Sequence, residues 1–194
     1  MTASKSPIMR LYHTGFFKLP HPDVHYGRPN ADFGQGFYLT ADQDFALRWS
    51  RENPEKDTFV NEYDLNTEGL CILSLERDQQ WFDYLYANRN FLPDQYAEFD
   101  VIVGPIANDT IYDTFGIITS GMLSKENSLK LLQVGPQYRQ IALKTERAVK
   151  QLTWLSAREL SHEEMQGYHE TVRVEEAAFQ ENYAKELERL TRED

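Results

Sequence analysis

Cysteine, long apolar runs and basic residues are all scarce in this sequence. The 194 residues contain one cysteine, Cys71, which excludes an intramolecular disulfide and fits a reducing compartment. Because Cys71 stands in the apolar run Leu70–Leu73, we expect it in the core. A run of about 18 apolar residues is lacking, so no membrane-spanning helix is expected. The N-terminus lacks the pattern of a secretory signal, and we therefore predict a cytoplasmic protein.

The sequence has 31 acidic residues against 20 basic ones, a formal net charge of −11. A broad electrostatic hold on nucleic acid needs a basic surface that displaces counterions, so this charge disfavours a nucleic-acid partner. The excess is uneven, because residues 157–194 carry a net charge of −6 and the first 156 carry −5. A local basic patch in the first 156 residues therefore stays open.

The composition is 41% hydrophobic and 13% aromatic, which is enough for one compact domain with a small appended element. Short apolar segments alternate with helical patterns in no regular βαβ rhythm, which predicts an α+β fold. The strands are expected at 8–13, 37–40, 59–65, 70–75, 100–103 and 140–143. The helices are expected at 42–49, 78–88, 108–115, 126–132 and 145–152.

The predicted domain spans residues 1–155, and residues 156–194 form an acidic helical extension. Ser161 and Glu164 have the spacing of a capping box, which marks the start of a helix. The extension could pack against the domain or serve as a docking helix for a partner. Both interpretations rest on an apolar stripe at helical spacing, made by Phe179, Tyr183, Leu187 and Leu190.

No metal site is predicted. His21 and His25 are four residues apart, but the prolines around His21 prevent the helix that would align them. His162 and His169 are seven apart in an acidic stretch. Neither pair has the cysteine or carboxylate neighbours of a zinc site.

Two further kinds of site find little support. A histidine such as His13 could orient a catalytic serine, but the Gly-x-Ser-x-Gly elbow is missing. Gly34 and Gly36 lack the third glycine of the dinucleotide fingerprint, and no long helix follows them directly.

The spacing of three side chains is more informative. His13 ends the first strand, Tyr38 lies in the strand that follows Gly34 and Gly36, and Trp49 is eleven residues further on. Such an arrangement could hold a flat ring between Tyr38 and Trp49 while His13 donates to a sugar hydroxyl. The glycines would let the backbone approach the ligand closely. Spacing alone favours the other interpretation, in which all three side chains belong to the core.

Tyr12-His13 followed by Phe33–Leu39 resembles the His…Tyr signature of diphtheria-toxin-like and poly(ADP-ribose)-polymerase-like ADP-ribosyltransferases. More specifically, the chain is similar to a bacterial family called domain of unknown function 3990. The similar stretches follow the family order over roughly residues 10–152, and they are 27–38, 81–89, 100–109 and 140–148.

This resemblance implies an ADP-ribosyltransferase-like split, mostly antiparallel sheet with flanking helices, which grips nicotinamide adenine dinucleotide (NAD) in a central cleft. His13 would hydrogen-bond the adenosine ribose, and the backbone of Thr14 and Gly15 would hold the nicotinamide amide. Tyr38 would stack on the nicotinamide ring, with Trp49 as a second stacking aromatic. The remaining cofactor-binding candidates are Gly36 and, near the pyrophosphate, Arg28.

Gln140 falls where the superfamily usually has its catalytic glutamate, so the candidate catalytic residues are Gln140, His13 and Tyr38. A glutamine can hydrogen-bond a ribose hydroxyl, but it cannot act as a general base. Thr14 stands where much of the superfamily has glycine, and its side chain is expected to narrow the approach.

The resemblance implies mono-ADP-ribosylation of a protein or other macromolecular acceptor, as in a toxin or effector. Two alternatives stay open. One is a degenerate module that binds NAD or ADP-ribose without turnover. The other is an interaction protein that meets an antitoxin-like partner through its acidic extension.

Overall fold

The computed structural model describes residues 7–48, 50, 53, 55–106 and 123–193. Within these residues, the strands form two sheets. The first sheet is antiparallel in the order β1-β3-β7, with β1 Ile8–Gly15, β3 Thr58–Asn66 and β7 Leu152–Leu160. The second has the order β2-β6-β5-β4, with β2 Phe37–Leu39, β6 Arg139–Leu143, β5 Val101–Pro105 and β4 Ile72–Ser74. Only the β4–β5 pair in it is parallel, so the predicted α+β class with mostly antiparallel sheets is confirmed.

Helices flank the two sheets. They are α1 Gln43–Arg48, α2 Gln79–Arg89, α3 Lys125–Leu132, α4 Glu146–Lys150 and α5 His162–Glu193, together with a short 3-10 helix at Val24–Tyr26. Side chains that accept a hydrogen bond from a backbone N–H three residues on fix several of the helix starts, as predicted for Asp42. Asp78, Ser124 and Thr145 do the same for α2, α3 and α4.

The two sheets meet where β1 and β2 cross. The Tyr12 N–H donates to the Thr40 carbonyl at 2.8 Å, and the Thr40 N–H donates to the Tyr12 carbonyl at 3.0 Å. Between the sheets lies an apolar core in which Leu11 and Tyr63 of the first sheet pack with Leu39 and Leu143 of the second. This bridge joins the two mostly antiparallel sheets.

The outer face of each sheet is covered by helices. Phe33 and α2, with Trp81 and Leu85, cover the second sheet. The first sheet is covered by α1 and the start of α5, through Leu47 and Met165. As predicted, Trp81, Tyr84 and Leu85 are all fully buried.

The C-terminal helix α5 packs on the body. Ser161 and Glu164 form the predicted capping box, because each side chain accepts from the other residue's backbone N–H. The apolar stripe is buried against the α3 region in a cluster with Leu123 and Leu131. The packing interpretation is therefore confirmed for this stripe.

Three expectations need correction. Cys71 is exposed rather than in the core, because it lies just before the short edge strand β4. The helix expected at 145–152 ends at Lys150, and the chain turns directly into β7. Because β7 pairs with β3 up to Leu160, the boundary predicted at residue 155 falls inside a strand.

The helix predicted at 108–115 lies outside the described residues, as does Trp49. None of the described helices is both long enough and apolar enough to cross a membrane.

Candidate functional site

His13, Tyr38 and Gln140 lie on three adjacent strands at the point where the two sheets meet. The β2–β6 register pairs Tyr38 with Ala142, so Gln140 is two residues away on the same face as the Tyr38 ring. His13 reaches Tyr38 from β1, since its Nδ1 lies 2.8 Å from the Tyr38 backbone carbonyl oxygen. His13 thus contacts the backbone of Tyr38, and its ring packs on Phe37, whereas the side chains of Tyr38 and Gln140 share one face of the second sheet.

His13 is half-buried and packs on the Phe37 ring, with the ring centroids 4.8 Å apart. Burial lowers the pKa of His13, while its hydrogen bond to the Tyr38 carbonyl opposes that shift. A carbonyl oxygen only accepts, so Nδ1 carries the proton and Nε2 of the neutral ring is an acceptor. The expectation that His13 donates to a sugar hydroxyl is therefore reversed: the hydroxyl would donate to Nε2.

Gly15 and Thr14 border the histidine differently. A Cβ atom on Gly15 would stand 3.2 Å from Nε2, so the glycine keeps this nitrogen accessible. The Thr14 hydroxyl donates to the Ala46 carbonyl at 2.5 Å, which ties β1 to α1. Because neighbouring side chains in a strand point to opposite faces, Thr14 does not narrow the approach to His13.

The hydroxyl of Tyr38 is occupied within the protein. It donates to the Gly34 carbonyl at 2.6 Å and accepts from the Phe33 N–H at 2.9 Å. Burial raises the pKa of Tyr38. The phenol therefore holds the loop before β2 and is not an acid or base, which leaves only its ring face for stacking.

Gln140 is buried, and its amide is anchored to an aspartate. Its Nε2 donates to Asp32 Oδ2 at 3.0 Å. Asp32 Oδ1 in turn accepts from Arg89 Nε at 3.0 Å and from Nη2 at 2.5 Å, with both side chains only 15% exposed. The position of the superfamily's glutamate thus holds an amide that is hydrogen-bonded to an ion pair.

The glycines of the loop serve packing within the protein. Gly34 has a φ of +72°, and a Cβ atom there would lie 2.8 Å from Lys144 Nζ. A Cβ atom on Gly36 would lie 2.7 Å from the Leu143 carbonyl oxygen. Glycine is therefore required here for the contacts of the loop with β6 and Lys144, and a close approach of a ligand stays a prediction.

Arg28 is exposed, and its guanidinium acts electrostatically on Tyr38. A side chain in this position is available to a ligand phosphate, although no contact tests that role. The second stacking aromatic, Trp49, lies outside the described residues. The stacking role predicted for Trp49 therefore stays a prediction.

Sequence reasoning missed a second buried ion pair beneath the loop. Lys144, 6% exposed, lies 3.0 Å from Asp94 and also donates to the Phe33 carbonyl. Burial lowers the pKa of Lys144, and Asp94 opposes that shift. Lys144 and Asp94 border a cavity of about 340 Å³ whose lining includes Gly34, Asn88 and Phe91 but not His13, Tyr38 or Gln140. The predicted site therefore does not coincide with this cavity.

Asp32 and Lys144 both stood in family-like stretches, but no local signal assigned them a role. Their partners are 50 to 111 residues away in the sequence, so spacing could not reveal them. Among the described residues, no cluster of three or more His, Cys, Asp or Glu side chains could hold a metal ion.

The chain matches the family described as "Protein of unknown function (DUF3990)" over residues 9–154. It belongs to that family. The match covers both sheets up to the start of β7 and leaves α5 outside. No match was found among curated proteins or among solved structures.

Proposed function

We propose that this DUF3990 protein has an ADP-ribosyltransferase-like fold and transfers ADP-ribose from NAD to a macromolecular acceptor, with protein as the expected class. The observation that carries the proposal is that His13 of β1 contacts the backbone of Tyr38 in β2, while the side chains of Tyr38 and Gln140 share a face of the β2–β6 pair. These are the positions at which the similarity to ADP-ribosyltransferases predicts ribose binding, nicotinamide stacking and catalysis.

The reaction requires little from the protein beyond binding and orientation. The bond between ribose C1 and the nicotinamide nitrogen breaks, and its electron pair neutralises the charged pyridinium. The acceptor forms a bond to C1 and releases its proton. A cationic, oxocarbenium-like centre develops on the ribose, as in glycoside cleavage, and hydrogen bonds to the ribose hydroxyls stabilise it.

The described side chains suit these tasks. Nε2 of His13 is an acceptor for one ribose hydroxyl, and the amide of Gln140 can accept from another. The ring of Tyr38 is held by both hydrogen bonds of its hydroxyl, so little entropy is lost when it stacks. Neither Gln140 nor Tyr38 is a base, which favours an acceptor that is already nucleophilic.

The proposal is tested by measuring nicotinamide release from NAD by the whole protein, with and without cell lysate as a source of acceptors. We expect His13→Ala and Tyr38→Ala to reduce NAD binding and release at least about tenfold. Tyr38→Phe keeps the ring and should retain NAD binding. His21→Ala and Tyr26→Ala remove the same side chains from exposed positions and serve as matched controls.

A second candidate is an NAD- or ADP-ribose-binding module without turnover. The observation that favours it is that, within the described residues, the carboxylate bonded to Gln140 is that of Asp32, which is paired with Arg89. Calorimetry would show NAD binding that depends on His13, with no nicotinamide released over hours. Failure of both binding and release would eliminate the transferase and the binding module together.

A further inference from the structure

Asp32 is held in place from three directions. Its backbone carbonyl accepts from Asn88 Nδ2 at 3.1 Å, which fixes the loop to the end of α2. Oδ1 accepts both hydrogen bonds from Arg89, and Oδ2 accepts the one from Gln140. The carboxylate therefore has a defined position relative to α2 and β6.

This contact decides which way the Gln140 amide faces. An ionised carboxylate only accepts, so the NH₂ end of the amide must point toward Asp32. The carbonyl oxygen Oε1 then points away from it. Within the described residues, the hydrogen bonding of this side chain is confined to Nε2.

Asp32 does not itself supply the negative charge of the glutamate that usually stands at the position of Gln140. Both of its oxygens are engaged, because Oδ1 accepts from two N–H groups of the Arg89 guanidinium, which neutralises the carboxylate, and Oδ2 accepts from Gln140. To act as a general base, Asp32 would need an oxygen that can take a proton from the molecule to which ADP-ribose is transferred. The arrangement favours orientation of the neighbouring amide over proton transfer.

We infer that Asp32 is a positioning residue: it orients the Gln140 amide so that Oε1 accepts a hydrogen bond from a ribose hydroxyl of NAD. This inference rests on the proposed function. Asp32 has a role distinct from ligand binding. The direction of its hydrogen bond with Gln140, from amide to carboxylate, then matters for activity.

The pair predicts an unusual outcome for Gln140→Glu. The new carboxylate would lie about 3 Å from that of Asp32, where two like charges cannot both be ionised without displacement. The single substitution should therefore lower activity, although it restores the usual residue of the superfamily. The double variant Asp32→Asn/Gln140→Glu reverses the hydrogen bond, because the amide introduced at position 32 donates to the new carboxylate.

The first experiment measures kcat and KM for nicotinamide release from NAD, with water or a lysate acceptor, for the whole protein and its variants. We expect Asp32→Asn and Gln140→Glu each to lower kcat at least about tenfold, with KM changed by no more than about threefold. The double variant should exceed both single variants. Glu76→Gln is the matched control, because this exposed carboxylate pairs with Arg139, the neighbour of Gln140.

Activity higher than wild type in Gln140→Glu alone would overturn the inference, as would a double variant no better than the poorer single one. A purely structural role for Asp32 would lower the unfolding midpoint and would not be rescued by Gln140→Glu.

A second readout does not depend on turnover. The side-chain amide resonance of Gln140, assigned by its loss in Gln140→Glu, should show slow proton exchange that becomes faster in Asp32→Asn. An unchanged resonance would overturn the orientation by Asp32. If wild-type protein neither binds NAD nor releases nicotinamide, the proposed function and the NAD role of this pair both fail, and the resonance then reports only on the Asp32–Gln140 contact.

Discussion

Charged side chains surround the loop at residues 32–36 and also line the C-terminal helix α5, but in opposite settings. Around the loop, the Lys144 side chain is 6% exposed and those of Asp32 and Arg89 are 15% exposed. Along α5, the ion pair of Lys185 with Glu181 is exposed by 67% and 68%. Water screens exposed pairs, whereas a buried charge that loses its partner is strongly destabilising. Charge therefore fixes the loop, whereas exposed ion pairs such as Lys185–Glu181 contribute little to the docking of α5, which must be held by other contacts.

Those other contacts are apolar packing and a few interactions around α1. Glu175 of α5 lies 2.7 Å from Arg48 and accepts from the Tyr138 hydroxyl at 2.9 Å. His169 contacts the Ser50 carbonyl at 2.8 Å. The helix thus docks beside α1 and on Tyr138, two residues before Gln140 in the chain, although it lies outside the family match.

The largest effect is expected for Lys144→Met, which tests the difference between the buried charges around the loop and the exposed charges of α5. It removes a buried cation, leaving Asp94 without its cationic partner and the Phe33 carbonyl without one of its donors, so we expect a loss of about 3 kcal/mol in the free energy of unfolding. Urea unfolding measures it. The matched control is Lys150→Met, whose side chain is 76% exposed and which should unfold like wild type. Equal losses in the free energy of unfolding for Lys144→Met and Lys150→Met would contradict the difference between buried and exposed charges.

Phe179→Ala tests whether apolar packing holds α5. Phe179 is 8% exposed in the cluster with Leu131 and Tyr183, and its truncation should cost about 2 to 3 kcal/mol. Hydrogen exchange should accelerate in α3 and the second half of α5 and stay unchanged in the loop at 32–36. Phe17→Ala, at a side chain that is 60% exposed, provides the comparison. A uniform acceleration across both regions would show that α5 and the loop unfold together.

Ser161→Ala removes one half of the capping box at the start of α5. The Glu164 N–H loses its acceptor, and we expect a loss of about 1 kcal/mol. Circular dichroism during urea unfolding measures the change. Ser156→Ala, on the exposed side of β7, should have less effect. A larger loss than for Phe179→Ala would reverse the ranking of packing over capping in this helix.

Lys185→Ala has the smallest expected effect. It removes the exposed ion pair of Lys185 with Glu181. In the wild-type protein Lys185 lowers the pKa of Glu181, but water screens this interaction. The urea midpoint should match wild type within error. A clear destabilisation would mean that the exposed charges of α5 contribute to its docking.

Local signals in the sequence were enough for most helices. Caps such as Asp42 and Ser161 act within three residues, so their pattern is visible along the chain. Strand β7 was missed because it is an edge strand with alternating, mostly exposed side chains and charges at Arg158 and Glu159. Its place depends on pairing with β3, about a hundred residues earlier.

The candidate site likewise has features that the sequence predicted and features that only the tertiary structure reveals. His13, Tyr38 and Gln140 were found by resemblance, and in the structure His13 contacts the Tyr38 backbone while Tyr38 and Gln140 share a face of the sheet. The direction of the His13 hydrogen bond and the partner of Gln140 both depend on tertiary contacts, so the sequence could not supply them. Asp32 became a candidate only when its distance to Gln140 was known.

The contact between Gly27 and Gly36 affects how variation in this loop should be interpreted. A Cβ atom on Gly27 would come within 2.2 Å of the Gly36 carbonyl oxygen, a distance no side chain tolerates. Intolerance to substitution at these two glycines would thus record the architecture of the loop, even in a homologue that had lost every ligand. Evolutionary evidence for a dinucleotide would have to come from His13 and the ring of Tyr38, whose side chains border the cleft.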